Sequence, residues 1–202
     1  MNTAVAHLSP LRPIRCDDEG LLQQFVRELS PRSRQRRFLA GLAELPPRLS
    51  RSLSCVDGVT HVALVLEEYG SDGRRLIAEG RFARTDDGDE AEIAVTVADA
   101  WQGQGIGSRL ISKLLAIARR DRVREVHALL LADNQPAVRL LAKFGFTFRP
   151  HVEEPGLLRA VRTLSDYRGT NLFKRLAQSF HDCRIGKDAR FTPMITTYRN
   201  RD

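Results

Sequence analysis

The chain has 202 residues, 42% of them hydrophobic, with a formal net charge of +7 and a pI near 9.9. That length and apolar content suit one compact domain, or a domain with a tail. No run of about 18 apolar residues and no leader-like amino terminus occurs, so no membrane span is expected and a cytoplasmic protein is. The basic balance fits an anionic cofactor, an acidic protein surface or nucleic acid, and sign alone does not choose among them. Cys16, Cys55 and Cys183 are odd in number and lack the paired spacing of a disulfide framework or zinc site, so reduced thiols and no metal are expected.

An extended start around Leu11 to Arg15 precedes Leu21, Leu22, Phe25, Val26 and Leu29, which recur at helical spacing behind Asp17 and Asp18 as candidate caps. Ser30-Pro31 repeats the start signal and leads a second helix through Phe38, Leu39 and Leu42. From Val59 the period changes. Val59 to Glu67 and Leu76 to Arg84 read as strands joined by the turn at Gly70-Ser71-Asp72-Gly73. After a further turn at Asp86-Asp87-Gly88-Asp89, Glu92 to Val97 is a third strand, with Glu92, Ala94 and Thr96 on one face and Ile93, Val95 and Val97 on the other.

Gly107, Leu110, Ile111, Leu114, Leu115 and Ala118 follow the amphipathic helix template. Val126 to Ala132 is a continuous apolar run, as in a strand buried on both faces; Asn134 and Pro136 then open a helix that Gly145 closes. Phe146 to Arg149 and Leu157 to Leu164 supply late strands. The order is β-α-α-β-β-β-α-β-α-β-β, an α/β (α+β) chain, with residues 1–164 as the domain and 165–202 as an extension carrying one amphipathic helix around Leu172 to Phe180 and a basic tail.

Between the third strand and the amphipathic helix lies Gln102-Gly103-Gln104-Gly105-Ile106-Gly107. Three glycines let the backbone approach a bulky anion, and the amides and positive dipole end of the helix bind phosphate without any particular side chain. Arg109 and Lys113 add charge nearby. A P-loop is excluded because no Gly-Lys-Ser/Thr follows, and a dinucleotide fold lacks its third glycine at Leu110.

Gln-x-x-Gly-x-Gly after such a strand resembles the coenzyme A motif of the GNAT superfamily of N-acetyltransferases, and the resemblance continues through Asn134, Ala137, Leu140, Lys143 and Gly145-Phe146. The stretch from Leu29-Ser30-Pro31 to Arg37-Phe38-Leu39 is similar, within that superfamily, to bacterial protein-lysine acetyltransferases. The resemblance implies a mixed, mostly antiparallel central sheet flanked by helices, with acetyl-CoA as cosubstrate and an amine acceptor, a small molecule or a protein lysine. It places cofactor contacts at Val95, Val97, Gln102, Gly103, Gln104, Gly105, Ile106, Gly107, Ser108, Asn134 and Ala137. It also implies a catalytic glutamate at Glu92, against the plain reading of an exposed acid ending a hairpin with Glu90 beside it.

The resemblance further implies an oxyanion donor at a backbone N–H near Val95, and a tyrosine acid where this chain has Leu141. Asn134 reads both as a helix cap and as a cofactor contact, Arg32, Arg34, Arg36 and Arg37 as part of an acceptor groove or a solvated face, and His61 and His127 as packing residues. Trp101 is expected to pack beside the turn. A non-catalytic acyl-CoA sensor and a nucleic-acid binder are the rival readings, although the aromatics are few and not interleaved with the arginines. A homodimer through the extension is the rival to its helix covering a sheet edge.

Overall fold

The computed structural model describes residues 7–71, 73–85 and 89–164. The expected turns at 70–73 and 86–89 and the extension at 165–202 therefore lie partly or wholly outside the described residues.

Two short strands, β1 (His7–Leu8) and β2 (Arg12–Pro13), pair antiparallel with β3 (His61–Gly70). Between β2 and β3 run helices α1 (Glu19–Glu28), α2 (Pro31–Phe38) and α3 (Pro47–Ser54). α1 forms because Leu22, Phe25 and Val26 bury one face. Asp18 stands at its N-cap position without a capping bond, since its carboxylate is taken by Arg12 (2.6 and 2.8 Å) and the Arg15 N–H (2.9 Å). α2 starts where Ser30 Oγ accepts from the Ser33 N–H (3.2 Å) with Pro31 in the first turn. It stops at Phe38 rather than running through Leu42, because Leu39 turns left-handed at φ +50°. The third helix is a correction to the two-helix reading. It opens at Pro46-Pro47, and Leu49 and Leu53 are its only large apolar residues, too few to reveal the period.

The sheet runs β1-β3-β4-β5-β6-β8-β7, where β4 is Gly73–Arg84, β5 Glu90–Val97, β6 Glu125–Leu131, β7 Thr147–Pro150 and β8 Leu157–Thr163. All pairs are antiparallel except β5 with β6, which pair only over Glu90–Glu92 against Glu125–His127. Beyond Glu92 the two strands diverge, and β6 pairs with β8 alone for the rest of its length.

One sheet face carries the larger core, built with α4 (Ile106–Arg120) and α5 (Gln135–Lys143) on Val62, Leu64, Phe82, Ile93 and Val126. α4 buries Leu110, Ile111, Leu114, Leu115 and Ala118, the stripe legible in the sequence. The opposite face packs α1 and α3 on Ala63, Val65 and Leu76. There Cys16, at the head of α1, and Cys55, just past α3, are disulfide-bonded, contrary to the expectation of reduced thiols; their separation of 39 residues held no local signal.

Candidate active site

The divergence of β5 from β6 sets the geometry. The Ala98 N–H donates to the Ile77 carbonyl of β4 (2.8 Å), so by the two-residue alternation of a strand the amides of Thr96, Ala94 and Glu92 also face β4. Those of Val95 and Val97 then face the split, where no described strand pairs with β5 past Glu92. The Val97 carbonyl confirms the direction, since Gln102 Nε2 reaches it from the turn at 3.0 Å. Main-chain donors and acceptors thus line an open slot, the arrangement that an extended amide-bearing ligand can complete as an added strand.

At the mouth of the slot Gly103 and Gly105 hold φ of +76° and +81°, and a Cβ at either would meet nothing within 4 Å. Backbone conformation, with space for a ligand, requires glycine here rather than protein packing. Gly105 is the N-cap of α4, no side chain caps the helix and its first turn holds no acid. The amides of Ile106, Gly107 and Ser108 precede the first helical bond, from Arg109 N–H to the Gly105 carbonyl (3.1 Å), and point outward with the helix dipole. A cleft of about 420 Å³ joins these parts; Val95, Val97, Gln102, Gly103, Gly105, Ile106, Gly107, Ser108, Asn134 and Ala137 all line it. Asn134 caps α5, its Oδ1 accepting from the Ala137 N–H (3.4 Å), and it borders the cleft. Gln104 does not line it; its amide turns back to the Ala100 carbonyl (3.1 Å) and braces the turn instead. Trp101 packs on the core beside the turn, as expected.

α2 closes the cleft from the other side. Asp99, just past β5, accepts from the Ser30 N–H (2.9 Å), Ser30 Oγ (2.8 Å) and Ser33 Oγ (2.7 Å). Burial opposes its ionisation, but these donors outweigh it and hold the carboxyl below the usual range. Sequence reasoning missed this clamp, because contacts spanning 66 to 69 residues leave no local pattern. The arginines of α2 divide by face. Arg32 is exposed, Arg34 Nη1 donates to the Arg27 and Leu29 carbonyls (3.0 and 2.5 Å) at the end of α1, and Arg36 and Arg37 line the cleft.

Glu92 lies on the α2 face of β5, opposite Ala83 of β4 and beside His127 of β6. It is only 5% exposed, which removes the reading of a solvated hairpin acid. Burial pushes its carboxyl above the ordinary range, and the charges of Arg37 and Arg159 pull it part of the way back. Glu90 is half-exposed and pairs with Arg159 (3.2 Å). His127 is held down to about 4, by burial and then by Arg159, and His61 to about 3, by burial and then by Arg81; both are neutral at pH 7. Leu141 is buried in the core of the α4–α5 face.

These features fit coenzyme A: outward amides at an uncapped helix start for a pyrophosphate, an unpaired strand edge for the amides of a pantetheine arm, and cationic side chains around the rim. Together they define an acyl-CoA-binding α/β domain with a split mixed sheet. The acetyltransferase (GNAT) family model matches residues 32–146, and the chain belongs to that family. An acetyltransferase of Pseudomonas aeruginosa is 32% identical over 136 residues, 67% of this chain and 73% of that protein. Acetyltransferase Pat of Mycolicibacterium smegmatis is 34% identical over 137 residues, 67% of this chain but 40% of Pat. Among solved structures, the GNAT domain of S. lividans PAT superposes with a TM-score of 0.68 at 30% identity, covering 76% of this chain and 89% of that one. Family membership makes the protein an acetyl-CoA-dependent acetyltransferase acting on an amine acceptor. No helix among the described residues is long and apolar enough to cross a membrane.

Proposed function

We propose that the protein transfers the acetyl group of acetyl-CoA to a primary amine, with a protein lysine as acceptor and Glu92 as general base. The observation that carries this reading is the buried carboxyl of Glu92 at the point where β5 and β6 part, on the face toward α2. A lysine-like amine has a reference pKa of about 10.4 and is protonated at neutral pH, so a carboxylate must remove its proton before attack. A carboxyl raised by burial is a better proton acceptor than a solvated one.

Acetyl-CoA supplies the acyl group as a thioester. The Val95 N–H, facing the split, donates to the carbonyl oxygen as negative charge grows on it. Because Leu141 stands where a tyrosine acid is expected, the departing thiolate takes its proton from water; with a thiol pKa of about 8.5 it leaves without one. The acceptor reading rests on the similarity of Leu29 to Leu39 to protein-lysine acetyltransferases and on the arginines bordering the cleft, which suit an acidic protein surface better than a polycation.

Glu92→Gln is expected to keep acetyl-CoA affinity, read by calorimetry, while turnover of amine acceptors falls by about 10²-fold or more. Unchanged turnover would remove the base assignment. A panel of proteins and small amines tests the acceptor, and a clear preference for spermidine-like polyamines would overturn the lysine reading.

A further inference from the structure

The α5 wall of the cleft carries a pair of cations that the amides of the α4 start leave without a role. Pro136, Arg139, Leu140 and Lys143 all border the cleft, and their i, i+3, i+4, i+7 spacing makes them one face of α5. Arg139 and Lys143 stand one turn apart and exposed, while Leu140 between them is partly buried. Leu140 fixes where that face lies: a Cβ placed on Gly107, in the first turn of α4, would come 3.1 Å from Leu140 Cδ2. The two cations therefore flank the contact that seats α5 beside the outward amides of Ile106, Gly107 and Ser108. Among the described residues no acid forms an ion pair with either of them. The other cations are placed differently. Arg109 and Lys113 of α4, expected to add charge near the turn, do not border the cleft, and Arg37, on the α2 wall, lies 3.6 Å from the buried Glu79.

Coenzyme A has two anionic groups, a diphosphate on the 5′-oxygen of its ribose and a phosphomonoester on the 3′-oxygen. Main-chain amides at the start of α4 serve the diphosphate and need no side chain. The phosphomonoester carries nearly two negative charges at neutral pH and three acceptor oxygens, and it calls for side-chain cations. Both groups leave the same ribose, so the second anion must sit close to the first. We propose that Arg139 and Lys143 form the subsite for the ribose 3′-phosphate and are specificity-determining residues, selecting coenzyme A thioesters over their dephospho forms. Arg139 brings a planar fork of donors that matches two phosphate oxygens, and Lys143 a point charge for the third. Because both side chains are exposed, each contact contributes a few-fold in affinity and the two together about tenfold.

The subsite rests on the cleft as the acetyl-CoA site and involves neither Glu92 nor the acceptor. Calorimetry of the full chain with acetyl-CoA and with acetyl-dephospho-CoA reads the preference directly, at about 0.15 M salt, where the Debye length of about 8 Å screens remote charges. The native chain is expected to bind acetyl-CoA about tenfold more tightly than the dephospho form. Combining Arg139→Gln with Lys143→Gln is expected to bring that preference down to about twofold, by weakening acetyl-CoA selectively. Arg139→Lys, which keeps the charge and loses the fork, is expected to fall between the two. Equal weakening of both ligands in the double variant would overturn the proposal, because it would assign the two cations to the diphosphate. A native chain indifferent to the 3′-phosphate would overturn it as well. If Gly105→Ala still weakens acetyl-CoA in that case, the subsite alone is lost; if it does not, the cleft assignment is lost with it.

Discussion

At the scale of single residues the site rests on backbone as much as on side chains, and glycine shows how the two are told apart. Gly105 and Gly156 both hold left-handed φ, +81° and +89°, and neither would bring a Cβ within 4 Å of other atoms. Only Gly105 borders the cleft. Alanine at either position carries a backbone penalty of about 1–2 kcal/mol, which lowers the melting temperature by about 4 °C for a chain of this size. Gly105→Ala is expected to weaken acetyl-CoA binding several-fold as well, because its methyl group enters space left for the ligand, whereas Gly156→Ala leaves affinity unchanged. Equal loss of affinity in both would show that the turn acts through stability alone. Side chains in this site divide the same way: Gln102 serves the slot by holding the Val97 carbonyl, while Gln104, alike in sequence, only braces the turn.

Among the elements, those with a strong local period were legible and those built by distant contacts were not. The α4 stripe, the glycine turn before it and the Asn134 cap were readable because each depends on residues within one or two turns. β4 was read as a strand, but the alternation that puts Glu79 and Arg81 on one face implies solvent there, and only the layer of α1 to α3 shows that this face is covered. The helix α3 was missed because Leu49 and Leu53 alone show no period, and its tie to α1 because Cys16 and Cys55 meet only in three dimensions. Closing a loop of 39 residues removes chain entropy worth about 4 kcal/mol from the unfolded state. Reduction, or Cys55→Ser, is accordingly expected to lower the melting temperature by about 10 °C while acetyl-CoA still saturates the folded protein, because neither cysteine borders the cleft. A melting curve indifferent to reductant would show that the bond contributes nothing to stability.

For the molecule as a whole, the split between β5 and β6 converts a sheet into an enzyme scaffold. The two faces are packed by different helices, so the divergence opens a slot with a cofactor turn on one side, α4, and the buried charges on the other, α2. Every described residue lining the cleft falls between Ser33 and Lys143, and the sheet closes behind it when the Leu164 N–H donates to the Arg124 carbonyl (2.7 Å). Among the described residues the core extends to Leu164. We infer that a chain ending at residue 166 folds and binds acetyl-CoA with an affinity within about twofold of the full chain, since it keeps every described residue that lines the cleft. Calorimetry on the two chains decides it: loss of binding with a preserved melting transition would assign residues 165–202 a direct part in the site, and loss of the transition itself would extend the domain into them.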